Sequence, residues 1–185
     1  MGDDLKRLAQ LLLEKSYISG QVTLTSGRTS DYYFDCKQTA LHPEGGHLLG
    51  QALLQAVNPQ VQAVGGMTLG ADPLVSAVSV LSHVHNRPLP AFIVRKTPKG
   101  HGTNQYLEGL SNIPQGARVA ILEDVVTTGG SVLKACERTV MAGLQVVQVL
   151  TVLDRQEGGG ETLAEHGYHL ESLFTREDLL AANQA

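Results

Sequence analysis

The stretch Val119-Ala120-Ile121-Leu122-Glu123-Asp124-Val125-Val126-Thr127-Thr128-Gly129-Gly130-Ser131 decides how the rest of the chain is read. Its first four residues are apolar and half of them β-branched, short enough for a buried strand, and they run straight into two adjacent carboxylates. Thr127, Thr128 and Ser131 bring hydroxyls. Gly129 and Gly130 can take a positive φ just ahead of a helix, so that successive backbone N–H groups converge on an anion. A phosphate alone needs no carboxylate, whereas vicinal hydroxyls suit Glu123 and Asp124. The stretch therefore points to a phosphorylated sugar. The plainer reading, an ordinary polar strand-to-helix connection, leaves this density of glycines and hydroxyls unexplained.

The composition bounds the rest. The chain has 185 residues, the length of one domain, and a domain of that size buries about 70% of the surface its unfolded chain exposes. With 42% hydrophobic and 17% charged residues it reads as a soluble globular protein. The 14 Lys and Arg are spread along a chain of net charge −4. No broad basic face can be assembled from them, which argues against nucleic acid as a partner. Cys36 and Cys136 stand far apart with no metal-ligand spacing, consistent with a reducing compartment and no structural zinc. No apolar run approaches the roughly 20 residues of a membrane span. Asp3 and Asp4 stand where a secretory leader would carry basic residues, so a cytoplasmic protein without membrane contact is expected.

Moving outward from the central stretch, strand and helix patterns alternate. Leu5, Leu8, Leu11 and Leu12 mark an amphipathic helix over 3–16, and alternation over 21–37 marks a small hairpin interrupted by Ser26-Gly27-Arg28. Pro43 opens a helix to Val57; a strand over 61–64 runs into Gly65-Gly66-Met67-Thr68-Leu69-Gly70, expected as a second ligand loop. A helix from Asp72 to about Val84 precedes a strand over 91–94. Residues 95–109 lack periodicity but hold Arg95, Lys96, Lys99 and His101 with three glycines, which reads as a mobile loop. Beyond the central motif come a helix over 131–142, a strand over 146–153 ending in Asp154-Arg155, a flexible Gly158-Gly159-Gly160 connection, and a helix, strand and helix over 162–182. The βα alternation implies a mainly parallel sheet flanked by helices, with the polar loops gathered at the carboxyl ends of its strands. One site can collect them all.

Leu122 to Ser131 resembles the PRPP-binding signature of the type I phosphoribosyltransferases. Three further pieces narrow the resemblance: Thr25-Ser26-Gly27-Arg28-Thr29-Ser30 with Tyr32-Tyr33-Phe34, Arg95-Lys96 followed by Lys99-Gly100-His101-Gly102, and Leu153-Asp154-Arg155-Gln156-Glu157. Together they resemble the orotate phosphoribosyltransferases, over about residues 5–180. The resemblance implies Mg2+-dependent transfer of phosphoribosyl from PRPP to orotate, giving orotidine 5'-monophosphate and pyrophosphate in pyrimidine (UMP) synthesis. It implies an α/β fold of type I phosphoribosyltransferase kind, a single domain over 1–185 with a small N-terminal hood (about 17–40) and a mobile loop (about 95–109). It also implies a homodimer whose sites are shared across the interface. Residue by residue, it assigns catalysis to Lys99, His101 and Asp124. PRPP falls to Arg95, Lys96, Lys99, His101, Glu123, Asp124, Val125, Val126, Thr127, Thr128, Gly129, Gly130 and Ser131, and orotate to Thr127 and Arg155. Mg2+ would sit on pyrophosphate and ribose oxygens with water, so no protein metal ligand is assigned.

Two positions depart from the family pattern. Thr25 stands where a lysine often precedes Ser-Gly-Arg, and Thr68-Leu69 replaces a frequent Tyr-Lys pair, which shifts the expected pyrophosphate contacts to Lys96, Lys99 and the backbone of Gly65 to Gly70. Tyr33 and Phe34 fit either stacking on the pyrimidine or the core, and Glu157 is expected at the surface. Two other functions remain in view: a PRPP-sensing regulator that binds nucleic acid, which the net charge disfavours, and a transferase for a purine or uracil, which Arg155 and the Ser-Gly-Arg segment disfavour.

Overall fold

Strand β6 (Arg118–Val126) is the axis of the molecule, and its burial explains why. Val119 to Leu122 have no accessible surface and Glu123 keeps only 5%. A strand covered on both faces belongs at the centre of a parallel sheet. In the computed structural model, which describes residues 2–23, 29–98 and 106–182, β6 pairs in parallel with β3 (Ala63–Met67) on one side and β7 (Gln145–Asp154) on the other. Outside these lie β4 (Ala91–Val94) and β8 (Leu170–Thr175), both parallel. A two-residue strand, β5 (Leu107–Glu108), closes the β4 edge antiparallel. The order is β5-β4-β3-β6-β7-β8.

Because successive strand residues point to opposite faces, β6 feeds two cores. Ala120 and Leu122 pack with α1 (Asp3–Lys15), α3 (Pro43–Ala56) and α4 (Asp72–Val84). Val119 and Ile121 pack with α5 (Gly130–Met141) and α6 (Gly159–Glu165). Helix α7 (Arg176–Ala182) closes the first face through Leu179. The same alternation carries Glu123 toward the α5 face and Asp124 toward the other.

The N-terminal hairpin pairs β1 (Tyr17–Thr23) with β2 (Thr29–Phe34) as a separate two-stranded sheet. It is fastened at its base, where the Asp35 N–H donates to the Ser16 carbonyl at 2.9 Å and the Ser16 and Thr39 hydroxyls meet at 2.7 Å. A four-residue helix, α2 (Lys37–Ala40), then leads into α3. Phe34 is buried at 6% and joins the core, whereas Tyr33 is exposed at 37% and does not. The remainder of the hairpin, Leu24 to Arg28, lies outside the described residues.

Four expectations are corrected. The strand expected over 61–64 is β3, which runs to Met67, so Gly65 and Gly66 are sheet residues and not a ligand loop. Packing requires glycine there: a Cβ on Gly65 would lie 2.2 Å from the Phe92 ring, and one on Gly66 would lie 2.2 Å from the Leu122 carbonyl oxygen. The strand at the centre does not end at Leu122 but continues through Glu123 and Asp124 to Val126. The loop after β4 is narrower than 95–109, because Leu107 and Glu108 return to the sheet opposite Val94 and Ile93. Gly159 and Gly160 are the first turn of α6 and not a free connection.

Candidate active site

The carboxyl ends of β6 and β7 build the site. After Val126 the chain turns through Thr127, Thr128 and Gly129, and Gly129 adopts φ 82° before α5 begins. A side chain would strain that left-handed position. Glu123 and Val125 through Val132 line a hollow of about 130 Å³ at the start of α5, where the N–H groups of a helix's first turn have no intrahelical partner. Gly159 supports the turn from below. A Cβ there would lie 2.3 Å from Val126 Cγ1 and 2.9 Å from the Thr127 carbonyl, so α6 can approach the turn this closely only with glycine at that position.

The two carboxylates part company. Glu123 is buried, and its Oε2 has no hydrogen-bond partner among the described residues. Burial first, then the adjacent Asp124 carboxylate, hold its carboxyl well above the usual range. Asp124 lies on the other face, against Gly70, whose Cβ would meet Oδ1 at 2.5 Å. Its field reaches across to the hood base, where burial and then Asp124 push the Cys36 thiol up. Lys37 joins it there: burial disfavours its ammonium, but the Asp35 contact at 2.5 Å and the Asp124 charge raise it on balance. Asp124 thus faces a cation that sequence reasoning missed, since α2 is too short to show any periodicity.

Of the loop cations, Arg95 pairs with Glu108 at 3.0 Å, and its N–H donates to the Tyr106 carbonyl at 2.7 Å. Lys96 is exposed and lines a hollow of about 300 Å³ with Gly130, Ser131, Lys134 and Arg138, which brings it to the helix start that follows the Thr127–Gly129 turn. Arg138, also missed, donates to the Arg95 carbonyl at 2.6 Å and lies 4.1 Å from the Tyr106 ring centroid, holding the two chain segments together. Lys99 and His101 lie outside the described residues. In the connection after β3, the Thr68 hydroxyl donates to Asp72 at 2.8 Å and its N–H to the Val94 carbonyl at 2.9 Å. Of the backbone donors expected from Gly65 to Gly70, that of Thr68 is therefore committed to the fold.

Arg155 is buried at 5%, and its backbone N–H donates to the Val126 carbonyl at 2.9 Å. The residue expected to meet the acceptor is thereby joined to the end of β6, next to the Thr127–Gly129 turn. Its guanidinium lies 4.5 Å from the Tyr32 ring centroid, with Arg176 4.8 Å from the same centroid. Glu157, expected at the surface, is half-buried and meets Arg155 Nη2 at 2.8 Å.

Comparison with known proteins matches this arrangement to a family. Residues 38–166 match the phosphoribosyl transferase domain. An orotate phosphoribosyltransferase from Nostoc sp. is 49% identical over 174 residues, covering 94% of this chain and 84% of that protein. One from Thermosynechococcus vestitus is 48% identical over 181 residues, covering 98% and 95%. The chain belongs to the orotate phosphoribosyltransferases. It is accordingly a pentosyltransferase of pyrimidine biosynthesis. The crystal structure of the Mycobacterium tuberculosis orotate phosphoribosyltransferase in complex with PRPP superimposes with a TM-score of 0.78 at 35% identity, covering 95% of this chain and 98% of that one. The α/β fold inferred from the βα alternation, a mainly parallel sheet flanked by helices, is the fold of these orotate phosphoribosyltransferase structures. No helix among the described residues is long and apolar enough to cross a membrane.

Proposed function

We propose that the chain joins PRPP to orotate at the hollow between β6, α5 and the end of β7, within a single domain over 1–185 carrying a hood (about 17–40) and a mobile loop that starts at about residue 95 and ends before Leu107. The observation that carries this reading is the hydrogen bond from the Arg155 N–H to the Val126 carbonyl. It sets a buried guanidinium, suited to an acceptor carboxylate, one residue from a turn suited to a 5-phosphate.

In this reading the Thr127–Ser131 turn holds the 5-phosphate, while Glu123 and Asp124 take ribose hydroxyls from their two sides. Arg155 and Thr127 take orotate. During transfer the C1–O bond to pyrophosphate breaks, the C1–N bond to the pyrimidine forms, and the ring nitrogen gives up its proton. The ribose passes through an oxocarbenium-like centre, which is favoured by charge stabilised on the leaving group and by exclusion of water. Arg95, Lys96, Lys99 and His101 supply that charge. His101 serves first to bind pyrophosphate, with proton transfer as its second role. Asp124, facing the ribose, completes the catalytic group with Lys99 and His101.

Among the described residues no three His, Cys, Asp or Glu side chains gather as a metal cage. The Mg2+ that the family implies fits an ion carried on substrate oxygens and water, beside Glu123 and Asp124. When bound, such an ion would supply positive charge against the leaving pyrophosphate. The active unit is a cytoplasmic homodimer in which the loop cations of one subunit reach the other's site; an active enzyme sedimenting as a monomer contradicts this. Neither nucleic acid nor membrane takes part. The test offers PRPP and Mg2+ with orotate, uracil, hypoxanthine or adenine and reads pyrophosphate release. Release with orotate alone supports the reading, and release with another base in its place overturns it.

A further inference from the structure

Within the site proposed above, Arg155 already carries a carboxylate. Glu157 Oε1 lies 2.8 Å from Arg155 Nη2, with side-chain exposures of 30% and 5%. The pair is only two residues apart, and the backbone between them shows how it is made. Gln156 takes φ 58°, a left-handed conformation that costs a non-glycine residue energy. Its N–H is held by Asp154 Oδ1 at 2.9 Å. This turn folds Glu157 back onto the guanidinium. A relaxed, extended Gln156 would carry Glu157 away from it.

A buried guanidinium needs a counter-ion, and here the need is sharpened by Arg176, whose guanidinium sits with that of Arg155 at the Tyr32 ring. Glu157 supplies that negative charge. A pyrimidine carboxylate approaching Arg155 brings the same functional group to the same donors, and two carboxylates on one guanidinium repel each other. We infer that Glu157 is the resident counter-ion of Arg155, displaced when the acceptor's carboxylate binds, so that this residue sets the affinity for an anionic acceptor. Binding is then an exchange of one carboxylate for another on an arginine whose position hardly changes. The site stays satisfied when empty, and the acceptor gains only the difference between its own contacts and those of Glu157.

This inference rests on the reading that Arg155 receives orotate, and the experiment separates the two. The Glu157→Gln variant keeps the shape and removes the charge. Its KM for orotate at saturating PRPP and Mg2+ is expected to fall by about threefold, the scale of a partly exposed charge pair, while the KM for PRPP stays within about twofold of the parent's. An unchanged or increased KM for orotate overturns the inference, because it makes Glu157 a support for Arg155 and not a competitor. If Glu157→Gln does not fold, Glu157→Asp decides by the same criterion, since shortening the side chain weakens the pair while keeping the charge. Arg155→Ala reports on the underlying reading. If it leaves orotate and PRPP affected alike, that reading fails; if it raises the orotate KM alone while Glu157→Gln does not lower it, only the present inference fails.

Discussion

Replacing Gly159 by alanine should damage PRPP binding from beneath the site, at a residue not itself expected to contact substrate. The added Cβ would lie 2.3 Å from Val126 Cγ1, 2.9 Å from the Thr127 carbonyl oxygen and 3.3 Å from the Gly129 nitrogen. Carbon atoms pack at about 3.5–4.0 Å, so the layers must part by more than about 1 Å at the first contact. Two of the three neighbours are backbone atoms of the phosphate turn and cannot rotate aside. Overpacking of this kind costs about 1–3 kcal/mol. For a chain of this length that lowers the melting temperature by roughly 2–12 °C. The strain falls on the turn itself, and a displacement of about 1 Å at a binding turn can cost up to about 100-fold in rate. Gly159→Ala is therefore expected to lower kcat/KM for PRPP roughly tenfold or more, with a smaller loss for orotate. The assay is initial-rate kinetics with each substrate varied, alongside thermal unfolding. A variant that melts lower but keeps the parent's KM for PRPP refutes the argument that Gly159 positions the turn, and one unchanged in both refutes the close approach itself.

Two further outcomes follow from the site. Glu123→Gln should stabilise the ligand-free protein while impairing PRPP use. The Glu123 carboxyl is held well above its usual range by burial and by Asp124, so folding favours its protonated form. The stability this group contributes is fully present below its unfolded pKa and is lost as pH rises through the folded value. Melting curves of parent and variant should converge in acid and separate as pH rises, and curves that stay parallel across the whole range contradict this. Arg155→Ala removes a charge-assisted donor from the acceptor, a loss of about 1.5–3 kcal/mol. The KM for orotate is expected to rise about tenfold or more, and that for PRPP much less; equal rises in the two sink the assignment.

What could be read from the sequence was local. The β6–turn–α5 unit is contiguous, so its apolar run, hydroxyls and glycines announce both the fold and the turn at the start of α5. Arg155 is legible because it closes a strand beside a short recognisable motif. The parts that escaped are contacts between distant segments. Gly65 and Gly66 look like a ligand loop until Phe92 and the Leu122 carbonyl are seen to occupy the space a side chain would need. Gly159 looks like slack chain until α6 is found against Val126 and Thr127. Lys37 has no signal of its own, because it becomes relevant only when the base of the hood comes within reach of Asp124. Glu157 reads as surface because nothing in its composition reports the left-handed Gln156 that turns it inward.

In the proposed site, the hydrogen bond between the Arg155 N–H and the Val126 carbonyl would give donor and acceptor a common wall. A backbone shift at the end of β7 displaces both recognition surfaces together, so changes in affinity for the two substrates should be correlated among variants that move this strand. Altering the choice of base while sparing PRPP then demands side-chain exchange at positions 155 to 157. Grafting a different loop onto β7 would instead unsettle the sugar phosphate along with the base.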